Sequence, residues 1–405
     1  YGVEYHTRQA GAWAKLGRPA TEEKQTSIGF MFHANRYEND FIAGLNTYTG
    51  VQDNLFGTFL FNRKFDEKDR HTLSGGVSLY ADQYQEQFNN LEFARTEIIP
   101  GIFGEYTYSL AQKFSAVVGA RADYHSIFGF FFTPRLHLRY AINEKHVLRA
   151  SAGRGQRTAN IFTENSSIFV SSRTLITEGS GYVGTDGFRP EVSWNYGANY
   201  TYTFPISAKR TGQFSVDYYY VHFVNQVVVD LDKSPRVVSI GNLDGISYSQ
   251  TFQAQLTLEP IKRLELRLAY RYLDVKSTFS TGVLQRALVP PHRGFINVSY
   301  ATKNKWSFDL TSQFIGRKRL PSTSGNPEEF ELETWSPTYT NLNAQISKEW
   351  NRWEVYVGGE NLLNVMQQDL IVDAANPFGN YFDASMVWGP SMGAMAYVGF
   401  RYEIK

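Results

Sequence analysis

A period of two residues, held to the very end of the chain, limits what this sequence can fold into more than any other feature. In 391–405, Met392, Ala394, Ala396, Val398, Phe400, Tyr402 and Ile404 take one face. Ser391, Gly393, Tyr397, Gly399, Arg401, Glu403 and Lys405 make most of the other. Such alternation describes a strand with one apolar and one polar face. A terminal strand of this kind is a sticky edge unless it pairs. Closing the sheet into a barrel removes the edge, and lipid outside with water inside accounts for the two faces.

The pattern recurs along the chain. It predicts strands over 10–17, 26–35, 41–49, 53–63, 70–81, 97–109, 113–124, 132–142, 145–153, 190–204, 211–224, 246–259, 263–275, 291–302, 304–315, 338–348, 352–360 and 391–404. That is about 18 strands of the length a tilted membrane crossing takes. In 132–142, Arg135, His137 and Arg139 oppose Leu136, Leu138 and Tyr140. In 263–275, Arg267 and Arg271 oppose Leu266, Leu268 and Tyr270, and in 190–204 Glu191 and Asn195 oppose Trp194 and Tyr196. The connections alternate in length. Tight ones at Ala111-Gln112, Asn143-Glu144, Pro260-Ile261, Lys303-Asn304 and Trp350-Asn351 fall between long polar segments at 82–96, 154–189, 225–245, 276–290, 316–337 and 361–390. Short turns on one side and long loops on the other are the habit of outer-membrane barrels.

Composition agrees with an all-β transmembrane antiparallel barrel. The 26 Tyr and 30 Phe residues supply interfacial girdles, and a mean hydropathy of −0.36 with no long apolar run excludes a membrane helix. A net charge of +1 gives no basic patch for nucleic acid, and the lack of Cys suits an oxidising compartment. No phosphate loop, GxSxG, CxxC or HExxH occurs, so an enzyme is not expected. The histidines are scattered, and Met392 and Met395 fall on opposite faces, so neither a metal site nor a cofactor is expected.

The polar residues with a role to fill lie in the lumen or at its mouth. The longest loop brings Arg154, Arg157, Asn160, Glu164 and Arg173 to the mouth, and Glu191 and Asn195 open the next strand. These are candidates to face a ligand or a plug, against the plainer reading of a loop held by its own hydrogen bonds. Glu191 is expected to pair with a lumen arginine. Arg121, Asp123, Arg135, Arg139, Arg149, Arg267 and Arg271 lie on the polar face of the wall.

Four stretches carry a family resemblance. GGENLLN (358–364), WGPSMGAMAYVGFRYEIK (388–405), LRASAGRGQRTANIFTEN (148–165) and RPEVSWNYG (189–197) resemble the barrel motifs of TonB-dependent outer-membrane receptors, particularly those of Bacteroidetes. The family ends on an aromatic residue, whereas this chain ends on Ile404-Lys405. The resemblance implies a barrel of 22 strands around an N-terminal plug, with 1–405 a partial barrel domain and the plug and first strands outside it. The charged lumen wall would then grip the plug. It further implies active transport of a scarce ligand (a metal chelate such as a siderophore or haem, or cobalamin) driven by TonB through a segment outside this chain. Outer-membrane lipids and a surface lipoprotein complete the expected partners. A passive porin-like channel and a barrel subunit of a larger envelope assembly are the alternatives.

Overall fold

In the computed structural model of the chain, residues 1–21, 25–66, 68–177, 183–184 and 187–404 are described. The first half of the wall runs through β1 (Val3–Arg18), β2 (Thr26–Ala43), β3 (Asn46–Lys64), β4 (His71–Phe88), β5 (Leu91–Leu110), β6 (Phe114–His125), β7 (Gly129–Ala141) and β8 (His146–Arg157). A long segment with a 3-10 helix (Thr163–Val170) and β9 (Thr174–Thr177) leads to β10 (Glu191–Ser207) and β11 (Arg210–Asn225). Short β12 (Val227–Asp230) and β13 (Val237–Asn242) precede β14 (Ser247–Ile261) and β15 (Leu264–Phe279), and β16 (Gly282–Gln285) folds back on β15. β17 (His292–Ala301), β18 (Trp306–Ile315), β19 (Tyr339–Trp350), β20 (Trp353–Glu360) and β21 (Met395–Tyr402) finish the wall.

Among the described residues, eighteen strands form one antiparallel sheet in chain order, and β9, β12 and β13 form a second, three-stranded one. Residues directly opposite one another share a face. One row reads Leu258, Leu266, Val298, Leu310 and Ala344 across five strands; the next reads Thr257, Arg267, Asn297, Thr311 and Asn343. The apolar row faces outward with nothing packed on it: Ile296, Leu310, Val357 and Val398 are 47%, 45%, 52% and 76% exposed. A continuous apolar belt of this extent is the surface a lipid phase covers. Its upper limit shows on β2, where Ile28, Phe30 and Phe32 give way to Arg36 and Glu38 on the same outer face. Arg36 there meets Asp53 at 3.0 Å and Glu38 at 2.8 Å. β2 to β5 are 18, 19, 18 and 20 residues long, about twice what a crossing takes, so they rise well beyond the belt.

Two expectations change. The region 26–64 holds two strands rather than three: the expected strand 41–49 is the end of β2, a tip at Gly44 and Leu45, and the start of β3. Gly44 has a φ of +59°, which a glycine adopts without strain, so the turn falls there. The expected loop 82–96 is the projecting hairpin of β4 and β5, turned at Asn89 with a φ of 51°. Polar residues make these stretches look like connections in the sequence, but both faces of a strand above the belt can be polar. The described residues do not close the wall on themselves, since β1 pairs only with β2 and β21 only with β20. The four-residue β16 extends β15 only, which leaves seventeen wall strands, so β1 and β21 run in the same direction. Joined directly they would be parallel. An antiparallel wall closes only with an odd number of further strands between them.

The two faces make opposite demands on substitution. Ile296→Arg on the outer face will cost about 2–4 kcal/mol of stability in a bilayer. Gln255→Arg on the inner face will stay within about 0.5 kcal/mol. Denaturant titration of the refolded protein in lipid vesicles reads both values.

Candidate functional site

The mouth of the wall on the long-loop side is filled by the chain itself. After β8 the sequence ANIFTENSSIFV places Ile161, Phe162, Ile168 and Phe169 around the 3-10 helix, and all four are buried. They enter among Phe41, Tyr48 and Phe88 of the wall. Phe162 stacks on Phe88 at 5.6 Å and meets Phe93 tilted at 5.2 Å, and Phe169 stacks on Phe88 at 4.6 Å. Each fully buried side chain of this kind contributes about 1.5–3 kcal/mol. These wall residues share a face with Thr58 and Asn54, so the lumen side is fixed independently of the charge pattern.

Ion pairs brace this cap. Arg157 donates through Nε to Glu191 at 2.7 Å, and through both terminal nitrogens to Glu164 at 2.7 and 2.8 Å. Hydrogen bonding to Glu164 and the charges of both carboxylates raise the Arg157 pKa despite partial burial. Glu191 also accepts the Val227 N–H at 3.1 Å, so one arginine ties β8, the 3-10 helix, β10 and β12 together. Arg173, buried, reaches Asp383 of the last loop at 2.8 Å and the Leu231 carbonyl at 3.1 Å. Arg319 holds Asp232 through two bonds of 2.7 and 2.9 Å. Asn160 accepts from Arg95, which also pairs with Glu97 at 2.7 Å and Glu86 at 3.2 Å and lies 3.6 Å over the Tyr84 ring. His125 faces Thr158 at 3.2 Å and Glu97 at 3.5 Å, and its Nδ1 accepts the Ile127 N–H at 3.1 Å. A proton on Nε2 satisfies all three contacts.

Between the cap and the wall lies a cavity of about 250 Å³ with Arg157, Glu164, Glu191, Asp232, Arg286 and Arg319 on its surface. Three of the residues singled out from sequence therefore meet at one cavity. Asn160 and Arg173 are placed elsewhere in the cap, and Asn195 lies on the inner wall 3.2 Å from Ser193. Arg154 departs from the expectation: opposite Trp194 on the outer face, it donates to the Phe132 carbonyl at 2.6 Å. Strand parity explains this, since Arg154 and Arg157 are three residues apart and must face opposite ways.

Lower down, every one of the seven wall residues is on the inner face. Arg121 binds Asp123 on its own strand at 2.7 Å and Ser78 at 2.8 Å. Arg135 pairs with Glu105, and Arg267 with Glu265. Arg139 donates to the Gln112 carbonyl at 2.7 Å, and Arg149 to Asn199 at 2.9 Å. Arg271 lies opposite Arg293. Sequence reasoning missed Glu86 and Arg95 by placing 82–96 in a loop, and gave Glu97, the first residue of the expected strand 97–109, no role. Continued alternation through 82–97 was the available signal. Nothing in the sequence joined Arg173 to Asp383 or Asp232 to Arg319, which are 210 and 87 residues apart.

Two measurements test the cap. Removing one partner of a buried pair leaves an unopposed charge, at about 3–5 kcal/mol. Arg173→Ala or Asp383→Ala will therefore speed hydrogen exchange of 160–170 far more than a surface substitution, and the double variant will recover part of the protection. Asp230 supplies the pH dependence. Burial raises its pKa, but bonds from Ser280 Oγ and from the backbone N–H groups of Ser280, Asp232 and Lys233 outweigh it and hold it below the usual value. A lowered carboxyl stabilises the fold above its unfolded pKa and ceases to as pH falls through the folded one. The Asp230 contribution to cap protection is thus constant down to about pH 4 and falls below it.

The chain matches the family described as TonB dependent receptor-like, beta-barrel, over residues 2–362. No curated protein matches it. Among solved structures it is similar to the ferric-catecholate import receptor Fiu of E. coli K12, at 11% identity and a TM-score of 0.70, covering 98% of this chain and 64% of that one. It is similar to the copper transporter OprC at 12% identity and a TM-score of 0.73, covering 98% and 65%. It is also similar to the siderophore receptor PiuA of Acinetobacter baumannii at 11% identity and a TM-score of 0.67, covering 98% and 64%. The chain thus spans just under two thirds of these proteins, and at such identities the likeness is one of fold. The two-faced wall, the loops folded into its mouth and the match across most of the sequence agree: the chain belongs to the TonB-dependent receptor-like β-barrel family of the outer membrane.

Proposed function

We propose that the chain is the barrel of an active transporter that binds a scarce extracellular ligand and passes it to the periplasm when TonB is energised. The observation that carries the reading is the cap. Four long loops are tied across the mouth by Arg157, Arg173 and Arg319, around a polar cavity. A passive channel gains nothing from closing its own mouth, whereas a receptor needs a shaped polar surface there. The neighbours whose names mention ferric catecholate, copper and siderophore support a metal chelate as cargo, with haem and cobalamin as the other candidates. The geometry of the edges supports a partial barrel domain. A 22-stranded wall leaves five strands between β1 and β21, an odd number as antiparallel closure requires. The plug these receptors carry would meet Arg121, Asp123, Arg135, Arg139, Arg149 and Arg267, and its far segment would meet TonB.

Deletion of the gene will abolish growth on one of ferric siderophore, haem or cobalamin as sole source, and a protonophore will stop uptake of that ligand in the parent. Uptake that continues without inner-membrane energy would make the protein a passive channel.

A further inference from the structure

The inner wall satisfies most of its arginines: Arg139 donates to the Gln112 carbonyl, and Arg149, its cross-strand partner, to Asn199. Arg95, Arg121, Arg135, Arg157, Arg267 and Arg401 each contact a carboxylate. Arg271 and Arg293 break the rule. They are direct cross-strand partners on the lumen face, and among the described residues neither makes an ion pair or a side-chain hydrogen bond. Like charges directly opposite one another are unfavourable without a counter-charge. A third cation stands beside them. Lys318, from the loop after β18, bonds the Trp388 carbonyl and lies 5.8 Å from the centre of the Tyr339 ring. Burial, and then the nearby Arg293, lower its pKa. The rings of Tyr339 and Trp388 are 6.2 Å apart. One row below, the side-chain oxygen of Asn341 is buried with no partner.

Three cations, two ring faces and an unused acceptor form a shelf under the cap. We propose that this shelf binds a multiply charged oxyanion, of the carboxylate or phosphate class, carried by the transported ligand. The two guanidinium groups offer paired N–H donors to such a group, and the ammonium adds a point charge. Asn341 accepts from a neighbouring hydroxyl or amide of the same ligand. The second source of this chemistry is an acidic side chain of the polypeptide outside residues 1–405. The assignment rests on the transport reading for its cargo, but the binding itself does not.

The test is calorimetric titration of citrate and of pyrophosphate into the full-length receptor in detergent at constant ionic strength. The triple variant R271Q/R293Q/K318Q is compared with the wild type, and Lys209→Gln, in a turn at the other end, serves as the control. At least one probe binds saturably to the wild type and to the control, and about tenfold or more weakly to the triple variant. Failure of both probes to bind the wild type, or equal binding by the triple variant, overturns the proposal. Melting without added anion separates the sources. The triple variant melts no lower than the wild type if the shelf waits for cargo, and clearly lower if an internal carboxylate fills it, which overturns the cargo assignment. A deletion strain with no growth defect, alongside intact probe binding, would count against transport and leave the shelf standing.

Discussion

A strand that crosses lipid must give every backbone N–H and C=O to a neighbouring strand, because no water is there to take them. The remaining features of this protein follow from that demand. It fixes the antiparallel meander and the period of two, and through them which side chains meet lipid and which meet the lumen. The rows of Leu and Val on one side, and of Arg, Asn and Thr on the other, are one register seen from two sides. The demand also makes the edges informative, since among the described residues β1 and β21 each pair on one side only.

The cap obeys a different logic. It lies above the apolar belt, so it is built like a small soluble core, with buried aromatics and arginine-carboxylate pairs. Those pairs are poor sources of net stability but severe penalties when split. The loops are therefore held in one arrangement, and any motion of the cap is expected to be collective. Loop ends tied to β8, β10 and the last loop by Arg157 and Arg173 would move together or not at all.

The sequence made most of the wall legible because the membrane enforces strict alternation. The same rule read Arg121, Arg135, Arg267 and Arg271 as lumen residues, and the register places them there. Legibility failed where the membrane stops acting. Above the belt, the polar runs around Asn39 and Glu86 looked like loops although β2 and β4 continue through them. The cap was visible only in part. That Glu191 would pair with an arginine followed from parity, and Arg157 is that partner. The pairing of Arg173 with Asp383 depends on how distant loops fold over one another, which no local pattern encodes. Arg154 shows the cost of treating a loop as a cluster, because one residue of strand places it on the far face.

The lack of cysteine allows the central claim to be measured directly. Single cysteines placed along 264–272 of β15 can carry a spin label, and the label can be exposed to a lipid-soluble and to a water-soluble relaxing agent in vesicles. The account predicts that positions 264, 266, 268 and 270 answer to the lipid-soluble agent and that 265, 267, 269 and 271 answer to the aqueous one. An answer that is the same at odd and even positions, or an alternation of the opposite phase, would contradict it.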